Sequence, residues 1–397
     1  MTVTTKYLTG HLPMTMKQRL DRLDKQNRHS VVYHRPDAWA AVPANNGMSG
    51  PAWQWDDEIL VGFTKGVFQG TEPGHQVQDE LPLESWLARS QDGGQTWTAW
   101  PPENYAGQSL MATEPQGHLD LVNPGFVMRV EGNGYHGNRG AHWFCSDDRG
   151  ASWRGPFHFG ELLNHPELVG KEFSSRTAYI INGPQELYLF LTVRLRTDPS
   201  GRDLQISLVE KTFLACTTDG GKTFSFVSWV VPWDDPCRAA YPAPVRVSSS
   251  TIVTAVRRKS PWNNWIDCYR SEDNGGSWSF LSKVDNTEAE AGPRHNGNPP
   301  SLLVLADGRL CCAYGDRSNG NECIALRYSE DQGKNWSVRY VIRDDFQSIN
   351  GMADLGYVRL FQRPDRKCVA VYFWCSPQHP QTHIEATIFD PKGDQSA

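Results

Sequence analysis

The chain reads as an all-β protein: a six-bladed β-propeller of four-stranded antiparallel blades, with a short helix ahead of them. Three observations predict this. An eight-residue pattern, Ser/Thr-x-Asp-x-Gly-x-(Ser/Thr/Asn)-(Trp/Phe), starts at Ser90, Ser146, Thr217, Ser271 and Ser329. Copies spaced by 54 to 71 residues, each preceded by strand-like sequence, mark a propeller or a similar array. Alternating β-branched and aromatic runs, divided by Gly, Asp and Asn, then fall into six groups. Aromatic residues make up 11% of the 397, with 15 Trp among them, which suits stacked sheets whose inner faces must be filled.

The repeated pattern is turn chemistry. An Asp carboxylate accepts hydrogen bonds from backbone N–H groups a few residues on and closes a tight hairpin. Glycine supplies the positive φ such a turn needs. The closing Trp or Phe inserts between sheet layers, contributing about 1.5–3 kcal/mol of burial per site. Asp92, Asp148, Asp219, Asp273 and Asp331 therefore staple hairpins. As catalysts they would mark five separate places around a rim.

The elements follow in order. Residues 14–27 read as a short helix with charge on most faces, part of an arm at 1–30 that precedes the propeller at 31–397. Blade one runs from Ala38 to about Trp97, with 58–63 as its second strand. Blade two starts near 118, with 125–130 innermost and 140–145 leading to its repeat. Blade three starts near Phe173 and carries 177–181 and 186–193. Blade four starts near 240, with 243–247 and 251–256, and blade five near 297, with 300–305 and 309–314. Blade six starts near 353, carries 355–361, 368–374 and 384–389, and has no repeat. The run 31–33 is expected to add an outer strand that shuts the ring and removes exposed edges. Inserts between Lys65 and Leu87, Arg196 and Leu208, and Asp285 and Asn298 are long enough to shape a binding face.

Charge and cysteines narrow the class. A net charge of −6 offers no basic field for nucleic acid or anionic membrane. No run of 18 apolar residues occurs, so no transmembrane helix is expected. The first residues lack a charged stretch followed by an apolar one, which predicts no signal peptide and a cytoplasmic protein. The nine cysteines are odd in number, and Cys145, Cys216 and Cys268 sit at equivalent blade positions, as buried free thiols would in a reducing compartment. No spacing suggests zinc, and the adjacent Cys311 and Cys312 point to opposite faces of a strand. No metal or cofactor is expected.

Chemistry is expected where innermost strands begin and second strands end, because these positions converge on the central channel. They are Asn45 and Asn46, Asn123, Arg176, Tyr241, Asn298, and Asp354 with Tyr357. Second-strand ends add Lys65, Arg194, Arg257 or Arg258, and Arg317. Guanidinium groups bind a carboxylate through two parallel hydrogen bonds, so an anionic sugar is the expected partner. A blade-edge arginine is more often a staple, but Arg258 and Arg317 both leave hydrophobic strands at the channel. Tyr357 is either a core ring or a nucleophile, with Asp354 three residues away as base or orienter. His118, His136, His142, His295 and His383 are scattered, and for each a satisfied or solvated histidine is the simpler reading.

The repeated pattern resembles the Asp-box, the hairpin repeat of the sialidase (neuraminidase, BNR-repeat) superfamily of six-bladed propellers. From about Tyr33 onward the chain is similar to bacterial sialidase-like proteins, most densely at 253–258, 265–269, 298–302, 307–311 and 386–390. The resemblance implies three arginines on a substrate carboxylate, a tyrosine nucleophile activated by a glutamate, and an aspartate acid/base on an early loop. Tyr357 in Asp354-Leu-Gly-Tyr357 resembles the nucleophile, and Arg258 and Arg317 the later two arginines. The chain departs from the pattern at Ala41, where the first arginine would lie, leaving that role to Arg129 or Arg176. It departs again at Asn45-Asn46, at Gly125 after Asn123, and at Ala178 after Arg176. Asp120, Glu114 and Glu80 are the nearest acid/base candidates. The implied activity is a sialidase-like exo-glycosidase acting on a terminal acidic sugar. The alternatives are a propeller lyase or rhamnosidase on uronate-containing glycans, or a sugar-binding propeller without catalysis.

Overall fold

A computed structural model describes residues 27–41, 52–70, 74–78, 80–105, 111–117, 119–131, 141–196, 208–288 and 297–391. The expected helix at 14–27 lies outside these apart from Asn27, as do Asn45, Asn46, His118, His136 and His295.

The chain enters on β1 (Arg28–Tyr33) and passes into blade one, with β2 (Ala38–Ala41), β3 (Ala52–Trp55), β4 (Glu58–Val67), β5 (Glu84–Ser90) and β6 (Thr98–Trp100). These order as β2-β4-β5-β6, with β3 also paired to β4. Blade two shows β7 (Val127–Glu131), β8 (His142–Ser146) and β9 (Arg154–His158), followed by a 3₁₀ turn at Gly160–Asn164. Blade three holds β10 (Glu172–Ile181), β11 (Leu187–Arg196), β12 (Leu208–Thr217) and β13 (Ser225–Trp229). Blade four holds β14 (Arg238–Arg246), β15 (Ile252–Lys259), β16 (Asn264–Ser271) and β17 (Ser279–Glu288). Blade five holds β18 (Ser301–Val304), β19 (Leu310–Asp316), β20 (Cys323–Ser329) and β21 (Tyr340–Arg343). Blade six holds β22 (Gly356–Gln362), β23 (Cys368–Trp374) and β24 (His383–Phe389), with β1 as its fourth strand. The ring is thus a six-bladed propeller shut by β1 against β24, from Arg28 opposite Ile388 to Tyr33 opposite Ile384. The closing strand begins at Arg28, within the segment that the sequence assigns to the arm.

Blade two differs from its expected layout. In the other blades that carry the repeat, it joins the third strand to the fourth, and here it joins β8 to β9. β7 therefore holds a second-strand place, and the preceding residues 119–126 form turns.

All five repeated turns are built alike. In the first, Ser90 Oγ donates to Asp92 Oδ1 (2.8 Å) and accepts from Gly94 N (2.8 Å). Asp92 also accepts from Thr96 N (2.9 Å) and Thr96 Oγ1 (2.6 Å). The same bonds recur at Asp148, Asp219, Asp273 and Asp331. The hydroxyl and amide of Ser277 hold the Asp273 carboxyl down to about 2, and the amide and side chain of Asn335 do the same for Asp331. Closing aromatics reach the preceding blade. Trp153 packs on Trp53, Phe224 on Trp143 and Trp278 on Phe190, with ring centroids 5.8, 5.9 and 5.8 Å apart. The core lies in such layers between blades. All nine cysteines are free, and Cys311 and Cys312 enter the cores on opposite sides of blade five. Among the described residues no helix is long and apolar enough to cross a membrane.

The repeated turns share one face with the hairpins between first and second strands. Gly93 N donates to Asp57 O (2.8 Å), Gly220 N to Gln185 O (3.0 Å) and Asn274 N to Ser250 O (2.9 Å). Second strands run away from that face, so their far ends carry Lys65, Arg194, Arg257 and the approach to Arg317 to the opposite mouth.

Candidate active site

Two innermost strands bulge at this mouth, and a phenol sits on each bulge. Pairing of β14 with β15 slips between Ala240 and Ala243, and that of β22 with β23 between Gly356 and Arg359. Tyr241 (φ +61°) and Tyr357 (φ +51°) occupy these irregularities in a left-handed conformation that side chains seldom adopt. A bulge of this kind re-aims a side chain out of the pleat. The result is a hydroxyl–hydroxyl contact of 3.2 Å between Tyr241 and Tyr357, their rings edge to face at 89°. A third slip, between Ser174 and Ala178 on β10, brackets Arg176 at the equivalent place in blade three.

Asn298 fixes the Tyr357 bulge. Its Oδ1 accepts from Tyr357 N (3.0 Å), and Gly356 (φ +107°) makes room, since a Cβ there would lie 2.0 Å from that oxygen. Asn298 is fully buried, and its Nδ2 has no partner among the described residues. It positions the tyrosine from behind.

Three guanidinium groups surround the phenols. Arg257, 2% exposed, sits with Cζ 4.1 Å from the Tyr241 ring centroid and Nη2 4.0 Å from Glu210, while its buried Nη1 has no partner among the described residues. Glu210 is also bound by Arg238 at 2.5 Å. Arg317 donates from Nε and Nη2 to Leu355 O (3.1 and 2.8 Å), with Cζ 5.8 Å from the Tyr357 ring. Burial pulls the Arg359 guanidinium down to about 10 while Tyr241 and Tyr357 pull it back up, so it stays charged at neutral pH.

Arg258 does not join this group. Neighbouring residues on a strand point to opposite faces. Arg258 therefore turns to Asp235 (2.6 Å), Asp267 (3.9 Å) and the Tyr269 hydroxyl. Arg257, on the other face, packs on the Tyr241 ring in the place expected of Arg258.

Asp354 is 1% exposed and does not meet the Tyr357 hydroxyl. Its Oδ1 lies 3.0 Å from His75 Nδ1, and its Oδ2 accepts from the Trp39 indole at 3.3 Å. Burial alone would raise the Asp354 carboxyl, but His75 and then Arg317 outweigh it and hold it below the usual range. His75 comes from the insert after Lys65 and is 51% exposed. Gln76 beside it is buried and accepts from Thr382 N (3.0 Å) and Thr382 Oγ1 (2.9 Å), which anchors the insert to blade six.

The other expected residues lie elsewhere. Asp120 and Asn123 cap turns on the face of the repeats, accepting from Val122 N (3.3 Å) and Gly125 N (2.8 Å). That loop is tied there by Leu121 N to Pro184 O (2.9 Å) and Arg149 N to Gly125 O (2.8 Å). The cause is the irregular 119–126 segment, which puts them at the wrong end of the blade. Glu114 and Glu80 are exposed, Glu114 beside a bridge from Thr113 to Phe157 on the outer strand β9. Lys65 pairs with Glu84 (2.8 Å). Arg194 pairs with Glu172 (3.0 Å), and Arg129 is buried against the Tyr105 ring (4.4 Å). His142 meets Glu131 (2.8 Å), and His383 meets the Gln381 carbonyl (2.8 Å). Ala41 is fully buried on β2. Among the described residues no group of His, Cys, Asp and Glu could hold a metal.

Arg359, His75 and Trp39 were not found in the sequence. Arg359 had a signal, since it lies two residues after Tyr357 on one strand and so shares its face. His75 had none.

No family model and no curated protein matches the chain. Solved structures do. A protein of unknown function from Dyadobacter fermentans DSM 18053 superposes with a TM-score of 0.65 at 18% identity, covering 92% of this chain and 98% of that one. The Hadza microbial sialidase Hz136 superposes at 0.55 and 15% identity, covering 89% of this chain and 66% of that one. The α-L-arabinofuranosidase Arb93A of Fusarium graminearum does so at 0.53 and 13%, covering 93% and 98%. The chain has the sialidase-like propeller fold.

Proposed function

We propose that this chain is a glycoside hydrolase that removes a terminal acidic sugar, sialic acid or a relative, from a glycan. The observation that carries the reading is the contact of the Tyr241 and Tyr357 hydroxyls at 3.2 Å, flanked by Arg257, Arg317 and Arg359 from blades four, five and six. Guanidinium groups bind a sugar carboxylate with two parallel hydrogen bonds and orient the ring. Tyr357, reacting as the phenolate, attacks the anomeric carbon, and the positive charges of Arg317 and Arg359 favour that phenolate. Tyr241 fixes the direction of that oxygen through the hydroxyl contact. The shared fold with a sialidase and an arabinofuranosidase supports glycoside chemistry in general.

The test is a panel of aryl glycosides: an α-sialoside, a β-glucuronide and a neutral α-arabinofuranoside. Aglycone release from an acidic member, lost in Tyr357→Phe, is the expected result. Turnover of the arabinofuranoside alone would refute the acidic substrate.

One observation favours a second reading. Among the described residues the partner of the Tyr357 hydroxyl is a phenol and not a carboxylate, which suits a tyrosine base in β-elimination of a uronate. An unsaturated, ultraviolet-absorbing product from a uronate-containing glycan would establish it.

A further inference from the structure

We infer that His75 is the acid–base of this site, and that the buried carboxylate of Asp354 positions it. The inference rests on the glycosidase reading above and supplies the proton that reading needs.

Asp354 is ionised and almost wholly enclosed, and burying a carboxylate is costly unless its oxygens are well used. Both are: one meets the Trp39 indole N–H and the other the His75 imidazole. A carboxylate only accepts hydrogen bonds, so Nδ1 of His75 carries a proton and Nε2 is the nitrogen directed elsewhere. A pair built only for strength would enclose both partners. Here the acid is sealed and the imidazole is half-exposed, as a proton carrier must be.

The dyad also sits in the right place. Arg317 bonds to the carbonyl of Leu355, the residue after Asp354, and faces the Tyr357 ring at 5.8 Å. The same guanidinium thus interacts with Asp354 and faces the Tyr357 ring. The Asp354 carboxylate in turn interacts with Arg317 after β19 and with Cys375 after β23, whose thiol burial pushes up to about 12 and so keeps neutral. A carboxylate in hydrogen-bond contact with an imidazole favours the protonated ring, and Asp354 stands in that contact with His75. The Gln76–Thr382 bonds hold the histidine's loop in place, and the Trp39 ring centroid lies 6.1 Å from the imidazole.

In the first step His75 imidazolium gives its Nε2 proton to the glycosidic oxygen as the bond from that oxygen to the anomeric carbon breaks. The bonding electrons stay on the oxygen, which departs as an alcohol, and Tyr357 holds the sugar. Neutral His75 then takes a proton from the water that attacks the same carbon, releasing the Tyr357 phenolate and restoring imidazolium. One water is consumed for each bond cleaved.

The experiment compares wild type, His75→Gln and Asp354→Asn on two acidic glycosides, one with an alkyl aglycone and one with a nitrophenyl aglycone that leaves without protonation. His75→Gln is expected to lower kcat on the alkyl substrate by about 10²- to 10⁴-fold, to affect the first step on the nitrophenyl substrate far less, and to regain rate with added imidazole. Asp354→Asn should move the basic limb of the pH profile to lower pH, and should lower the histidine's midpoint when its imidazole titration is followed by NMR. Equal losses on both aglycones, or full activity in His75→Gln, overturn this inference and leave the glycosidase reading standing. A wild-type chain inert on every glycoside overturns both.

Discussion

The hydroxyls of Tyr241 and Tyr357 meet at 3.2 Å although 116 residues of chain separate them. Both side chains leave innermost strands at bulges, both backbones are left-handed, and Arg257 and Arg317 lie against one ring each. Tyr357→Phe is expected to lower kcat on an acidic glycoside by roughly 10³-fold or more without moving the melting temperature. Tyr241→Phe removes one hydrogen bond worth about 1 kcal/mol and should cost kcat no more than about tenfold. Steady-state kinetics beside calorimetry separates the two.

The Tyr357 bulge depends on Asn298 and Gly356. Gly356→Ala puts a Cβ against the Asn298 oxygen at a φ of +107°. It should destabilise the fold by about 1–3 kcal/mol and reduce turnover, since the clash sits one residue from the phenol. Denaturant midpoints and kcat for this variant, with Asn298→Ala as companion, check it. Unchanged values in both would remove the latch.

Arg257 and Arg258 are adjacent yet should respond oppositely. Arg257→Ala is expected to raise KM for an acidic sugar at least tenfold, with little effect on a neutral one. Arg258→Ala breaks a part-buried pair with Asp235 and should lower stability by about 1–3 kcal/mol. Its KM for acidic sugars should stay near wild type, and titration calorimetry with the sugar acid reads the difference directly.

Asp285 offers a pH test. Burial works against its charge, yet Arg339 (2.9 Å), Arg327 (2.8 Å) and the Tyr314 hydroxyl hold its carboxyl down to about 2. A folded value below the unfolded one of about 3.9 means that this stabilisation is fully present above pH 4. It is lost as pH falls from there to about 2. Asp285→Asn should therefore be less stable at pH 7 and show a flatter acid limb in melting temperature against pH. A limb as steep as wild type would exclude Asp285 as its source.

The ring was legible because its signal is local. Each repeated turn is closed within eight residues, and five copies announce themselves without any tertiary information. Tyr357 and Arg317 were legible as residues flanking apolar strands. The choice between Arg257 and Arg258 was not, because alternation makes one residue's shift a change of face and no local feature sets the phase. Asp120 and Asn123 were misplaced because 119–126 turns where the other blades have a strand, which exchanges the two ends of the blade. His75 meets Asp354 across 279 residues from inside a long insert, and nothing in either segment names the other.

The seam between β1 and β24 has a consequence for how the protein comes into being. Residues 28–33 are made before blade one and their partner β24 is the last strand of blade six, so the circle cannot shut until all six blades exist. Trp39 and His75 stand on one bank of that seam, Asp354 and Tyr357 on the other. Whatever chemistry the mouth performs is therefore silent until β24 has been made and β1 has found it.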